Sequence, residues 1–217
     1  MTAMADRIAA GAAQMGLSLP EGATVKMDAY WEAVLRVNQT MNLTRIVEPE
    51  AACTDHFLDS LAPLLWKDGV LPQRATLLDV GTGAGFPGIP LAFARPDLRV
   101  SLLDARRKKI LFIEQALEEM GESGIEAFHA RAEETRRQFD VVTARAVTAL
   151  PALCALLLPL VRPGGTAIMW KGPAADGEIR EAEAACRKYG AKLLPAMPYE
   201  IPGSGKDSRL MLAKKGP

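Results

Sequence analysis

The 217 residues, 49% of them hydrophobic and 24% charged, suffice for one sizeable core and exclude a disordered or fibrous chain. Lysine plus arginine and aspartate plus glutamate stand at 26 each, so no global charge draws the chain to nucleic acid or a membrane, and any basic face must be local. Three widely spaced cysteines (Cys53, Cys154, Cys186), no Cys-x-x-Cys and only 2 histidines indicate neither a disulfide framework nor a metal site, and fit free thiols in a reducing cytoplasm.

In chain order, residues 1–70 read as a helical extension and 71–217 as the main domain, the two forming one globular unit. Met1-Thr-Ala-Met-Ala-Asp-Arg lacks an apolar signal core. Tyr30, Val34, Val37 and Met41 recur at helical spacing, and Phe57, Leu61, Leu64 and Leu65 mark a second helix face. Between them, Met41-Asn-Leu-Thr-Arg-Ile46 reads as a turn with Asn42 or Thr44 as cap. The second helix carries His56 and Asp59, three apart and so able to face the same way. By themselves they also fit a plain solvated face.

Leu77-Leu-Asp-Val80 reads as a buried strand, and Gly81-Thr-Gly-Ala-Gly-Phe-Pro-Gly88 as a turn into a helix through Ile89, Leu91, Ala92 and Phe93. Strand, glycine turn and helix form the first unit of a parallel α/β sheet, whose ligands bind at the carboxyl ends of the strands. A dinucleotide fingerprint in register with Gly81 would need glycine at Phe86, and a Walker loop would need a Gly-Lys-Ser/Thr that does not follow. Gly-x-Gly-x-Gly with Asp79 two residues before it fits S-adenosylmethionine better. Another nucleotide binder or a structural turn stay open on the loop alone.

Residues 98–104 form a second strand that ends in Asp104, about twenty residues past the loop, where this fold places an acid on ribose hydroxyls. A helix N-cap is the competing role for Asp104. The next helix opens with Arg106-Arg-Lys-Lys109, four cations that oppose the helix dipole and so point to a phosphate partner or a solvated face. Gly124-Ile-Glu-Ala-Phe128 is the third strand, with Ala132-Glu133 behind it where adenine is contacted. Phe139–Arg145 is the fourth. A buried helix over 149–161 closes at Arg162-Pro-Gly-Gly165 before the fifth, Thr166–Trp170. The apolar run 146–161, broken by Thr148, Pro151 and Pro159, cannot span a membrane. Ile179, Ala182, Cys186 and Tyr189 mark a last helix, and strands near 192–200 and 208–214 complete a mostly parallel, seven-stranded Rossmann-like sheet. The loop 202–208 only mimics a phosphate-binding loop.

The reaction is narrowed by what is missing. No Asn/Asp-Pro-Pro-Tyr follows the fourth strand, where the chain reads Thr143-Ala-Arg-Ala-Val147. Cys154 lies in an apolar helix and suits a structural thiol better than a nucleophile. A ring nitrogen with a free lone pair, such as guanine N7, needs no general base to accept a methyl group, only orientation.

Met41-Asn-Leu-Thr44, His56-Phe-Leu-Asp-Ser-Leu61, Asp79–Leu91, Asp104, Ala132-Glu133 and Arg145-Ala-Val147 together resemble the bacterial RsmG (GidB) family over nearly the whole chain. The resemblance implies an S-adenosylmethionine-dependent enzyme that forms 7-methylguanosine in the decoding region of 16S ribosomal RNA. It implies cofactor contacts at Gly81, Phe86, Ala132, Glu133 and Arg145, and it joins Asp79, Gly83 and Asp104 to that set. Arg145 and His56 become candidates for positioning the substrate, and Asp59 part of the cleft rim. Arg106, Arg107, Lys108, Lys109, Lys171 and Lys206, with Arg136 and Arg137, become candidates for a local RNA-binding face. The partner expected is 16S ribosomal RNA or the small ribosomal subunit, met by a cytoplasmic monomer without metal. Methyl transfer to another substrate, or an adenosyl-nucleotide sensor without catalysis, are the alternatives.

Overall fold

The computed structural model describes residues 3–66, 70–145 and 147–217. The expected boundary near residue 70 and the start of the apolar run at 146 therefore touch residues 67–69 and 146, outside those described. Two helices open the chain, α1 (Ala3–Gln14) and α2 (Ala23–Met41). Tyr30 and Val34 on α2 are fully buried, as their spacing predicts, and Asn42 closes the helix in the left-handed conformation that asparagine tolerates. The second predicted helix is broken up. A short α3 (Pro49–Ala52) widens into a π-helical turn, Cys53–Leu58, and a 3-10 turn follows at Ala62–Leu65.

The sheet is ordered β3 (Ile125–His129), β2 (Arg99–Asp104), β1 (Thr76–Val80), β4 (Phe139–Arg145), β5 (Val161–Lys171), β8 (Ser208–Lys215) and β6 (Ala191–Leu193). The first five run parallel and β8 is antiparallel to β5. The described strands number eight rather than seven, because the predicted strand near 192–200 is cut at Pro195 into β6 and β7 (Met197–Tyr199). Both pieces pair with β8, so they act as one interrupted edge strand. Arg162-Pro-Gly-Gly165 is the predicted turn, but the strand already begins at Val161. The pairing with β4 jumps from Phe139↔Val161 to Val141↔Thr166 across it.

Period-two alternation builds two cores. Leu77, Val100, Leu102, Val141 and Ile168 pack on one face, with α4 (Gly88–Ala94), α5 (Arg107–Glu119) and the helices of the extension. Leu78, Val80, Leu103, Val142 and Met169 pack on the other, with α6 (Leu150–Leu157) and α7 (Ile179–Lys188). Cys154 and Cys186 are fully buried there, while Tyr189, expected within α7, lies just past its end and is exposed. Strand order reverses between β1 and β4, so a crevice opens at their carboxyl ends, the place where this sheet type takes its ligands. Among the described residues, no helix is long and apolar enough to cross a membrane.

Candidate functional site

The glycine loop follows β1 at that crevice. Gly81, Gly83 and Gly85 have φ of 69°, 66° and 91°, a region that costs a residue with a Cβ. Gly81 and Thr82 donate their N–H groups to Leu103 O at 2.8 and 3.0 Å, which ties the loop to the end of β2. Asp79 is fully buried, and its carboxylate accepts from Thr82 Oγ1 (2.7 Å), Gly88 N (2.9 Å) and Thr143 Oγ1 (3.0 Å). Burial pushes its pKa up and these hydrogen bonds hold it down. From that position Asp79 holds the loop from beneath.

The loop is also held from the extension. Tyr30 donates its hydroxyl to Ala84 O at 3.0 Å, and burial drives its pKa far above the usual phenol range. Phe86 is buried in an aromatic cluster, stacked on His56 with centroids 4.5 Å apart and edge-on to Phe57 at 5.3 Å. His56 Nε2 lies 3.0 Å from Thr44 Oγ1. Burial first, and then the charge of Arg145, push the His56 pKa down to about 4, so the ring is neutral at pH 7.

Asp104 lies beside the loop with both carboxylate oxygens turned to backbone. Oδ2 accepts from Gly83 N at 3.0 Å and Oδ1 from Arg106 N at 2.8 Å. The helix N-cap is Arg106, so Asp104 joins loop and helix entry without being the cap residue. Each oxygen keeps a lone pair for a hydroxyl. Lys109 does not point to solvent with its neighbours. Its Nζ lies 3.5 Å from where a Gly83 Cβ would stand, and burial lowers its pKa against the pull of Asp104. Ala132 is buried and Glu133 exposed in a 3-10 turn behind β3.

The carboxyl ends of β4, β5 and β7 meet the π-helical turn differently. Arg145 Nη1 donates to Asp59 Oδ2 at 2.6 Å and to Asp55 O at 2.8 Å, with both charged side chains about 15% exposed. Tyr199 donates to Asp59 Oδ1 at 2.6 Å, and Trp170 Nε1 to Asp59 O at 2.8 Å. The wide turn separates His56 and Asp59, which regular helix spacing would place on one side. His56 faces the glycine loop and Asp59 the strand ends. A cleft of about 650 Å³ opens there, lined by Asp55, Asp59, Arg145, Trp170, Tyr199 and Lys206 among others. The glycine loop does not line it. Val147, whose side chain would be 3.1 Å from a Cβ on Gly81, and Thr148 in the cleft wall mark the boundary between loop and cleft.

The basic residues divide in two. Arg106, Arg107, Lys108 and Arg136 are exposed. Arg137 is held by Glu126 at 2.9 and 2.8 Å, Lys171 lies 3.5 Å from Glu178, and Lys206 reaches across the cleft mouth to Asp55 at 2.6 Å.

The model of the family described as rRNA small subunit methyltransferase G, GidB, matches residues 23–200. The chain belongs to the GidB family. The ribosomal RNA small subunit methyltransferase G of Lactobacillus delbrueckii subsp. bulgaricus is 39% identical over 192 residues, 86% of this chain and 80% of that protein. The protein of the same name from Desulforamulus reducens is 37% identical over 210 residues, 94% and 87% of the two chains. Among solved structures, a methyltransferase from Pyrococcus furiosus superposes with a TM-score of 0.61 at 13% identity, over 89% of this chain and all of that one. Magnesium protoporphyrin IX methyltransferase from Synechocystis gives 0.62 at 15% identity, over 86% and 97%. At that identity the likeness concerns the fold alone, the Rossmann-like methyltransferase sheet.

On this GidB chain, sequence reasoning missed Tyr30 under the loop, Thr44 on His56, and the gathering of Trp170 and Tyr199 on Asp59. Tyr30 looked like ordinary helix stripe, and Trp170 and Tyr199 like strand ends. Only Met41-Asn-Leu-Thr44 carried a signal, as part of a family motif.

Proposed function

We propose that this GidB protein transfers a methyl group from S-adenosylmethionine to N7 of a guanine in 16S ribosomal RNA. The observation that carries the reading is the pairing of two preformed half-sites at the sheet's switch point: a glycine loop fixed beside Asp104, and a cleft at Arg145. The loop suits S-adenosylmethionine. Its left-handed glycines leave backbone open to a ligand, and the Asp104 carboxylate has acceptor capacity for ribose hydroxyls. Gly81, Gly83, Phe86, Ala132, Glu133 and Asp104 line or support that half. Lys109 lies over Gly83 at the edge of this half. When bound, the cofactor supplies an electrophilic methyl on a sulfonium.

The remaining chemistry is orientation. Guanine N7 presents an in-plane lone pair and loses no proton on methylation, so no side chain has to act as base. Arg145 and the cleft hold the base, with His56 fixing the π-helical turn that Arg145 rests on. Arg106, Arg107 and Lys108 give a local cationic face for RNA phosphates past the carboxyl end of β2, and Lys171 and Lys206 join it if phosphate displaces Glu178 and Asp55; Arg136, beside Arg137 at the amino end of the sheet, stands apart from that face. The protein acts on 16S RNA or the small subunit, as a cytoplasmic monomer.

Mapping 7-methylguanosine in 16S RNA from cells with and without the protein tests the activity. One site is expected to disappear, and an unchanged map overturns the reading. Calorimetry with S-adenosylmethionine and NAD tests the cofactor. Gly81→Arg should abolish S-adenosylmethionine binding by filling the space over the loop, with the fold largely retained at a cost of about 1–2 kcal/mol of left-handed strain.

A further inference from the structure

Asp59 collects more side chains at the cleft than the RNA-methylation reading requires. Arg145 comes from the end of β4, Trp170 from β5 and Tyr199 from β7, and all three donate to it. The Arg145–Asp59 pair is shielded at about 15% exposure, and both residues line the cleft. Two consequences follow from electrostatics in a partly dry site. A guanidinium held at two points by Asp59 and Asp55 O has its remaining N–H groups fixed in direction. A cation with its counter-ion at 2.6 Å also presents little net charge to the cleft.

Net charge at that point matters for this reaction. The S–C bond to the methyl breaks, the N7–C bond forms, and no proton leaves. The positive charge passes from sulfur onto the purine. An unpaired arginine beside that purine would oppose the arriving charge, whereas a neutralised one would not.

We propose that Asp59 is a positioning residue for methyl transfer: it aims Arg145 at the target base and cancels its charge where the methylated purine becomes cationic. The inference rests on the RNA-methylation reading. It assigns Asp59 an effect on the chemical step, apart from its contribution to packing.

The test is a double-mutant cycle of Asp59→Asn and Arg145→Gln, read as kcat and KM with small-subunit RNA, alongside calorimetry with S-adenosylmethionine and thermal melts. Asp59→Asn should lower kcat about ten- to a hundredfold, while KM for RNA and cofactor affinity stay within about twofold. In the Arg145→Gln background the same change should cost nothing further. Multiplying losses, a near-normal kcat, or a loss confined to KM would each overturn the inference. If Asp59→Asn does not fold, Tyr199→Phe removes one donor to the same carboxylate. It should lower kcat a few-fold with Arg145 present and leave it unchanged in the Arg145→Gln background; an equal loss in both backgrounds would overturn the inference. Wild-type protein inactive on small-subunit RNA would instead refute the reading on which it rests.

Discussion

The two half-sites are built in opposite ways. The glycine-loop half has a short-range frame, Asp79 to Thr82 and Gly88 and Gly83 to Asp104, contacts spanning 3, 9 and 21 residues, braced from farther off by Tyr30 on Ala84 and Thr143 on Asp79. The cleft half is made of strangers: Asp59 to Arg145, Trp170 and Tyr199, spanning 86, 111 and 140 residues. The first is rigid because backbone geometry and buried hydrogen bonds fix it locally. The second exists only when the extension is docked on the finished sheet. One region therefore has a frame set by local sequence and the other depends wholly on assembly, and perturbations should separate them.

The largest effect is expected at Gly85. An added Cβ would lie 2.5 Å from Tyr30 Oη and 2.7 Å from Ile89 Cγ1, at a φ of 91°. Gly85→Ala should destabilise the fold by about 2–5 kcal/mol, overpacking and left-handed strain together, as measured by urea unfolding. A change below about 1 kcal/mol would mean that the loop is not locked as described.

Acid should act next, and on the docking seam. The His56 pKa in the folded state, about 4, lies below its unfolded value of about 6.5, so the unfolded chain binds the extra proton between those values. Its share of stability is present above pH 6.5 and lost as pH falls toward 4, on the order of 3 kcal/mol. Comparing unfolding of wild type and His56→Gln across that window should show a flatter pH dependence in the variant; parallel curves would contradict the buried neutral histidine.

Asp104→Ala should weaken S-adenosylmethionine by about 1–3 kcal/mol in calorimetry, since it removes the acceptor for Gly83 N as well as any for ribose. The smallest effect is expected for Tyr30→Phe, which deletes one buried hydrogen bond to Ala84 O and should cost about 1 kcal/mol of stability. Its cofactor affinity should drop while RNA affinity holds; the reverse pattern would place Tyr30 on the wrong half.

The same division governs what was legible beforehand. Strand positions, the glycine loop and Asp104 could be read because period-two burial and turn chemistry are local signals. The edge strand was misjudged only at Pro195, where the break in pairing is set by register against β8. The helix around His56 was not legible as a π-helical turn, because nothing in Cys53–Leu58 differs in propensity from an ordinary helix. The hydrogen bonds of Asp79 to Thr82, Gly88 and Thr143 are not legible in the sequence, because an acid before a glycine loop looks the same whether its carboxylate faces the ligand or the loop. Lys109 left its cationic neighbours because its position on α5 turns it to the loop, a helical phase that composition does not reveal.

The three tryptophans give this seam an optical readout. Trp31 sits 5.7 Å from His56, Trp66 packs edge-on to Tyr199 at 6.4 Å, and Trp170 is tethered to Asp59. Each therefore samples the junction of extension and sheet rather than the sheet interior. Intrinsic emission should report docking of the extension almost alone: a red shift would signal detachment of the first 66 residues even while far-ultraviolet circular dichroism still showed an intact sheet.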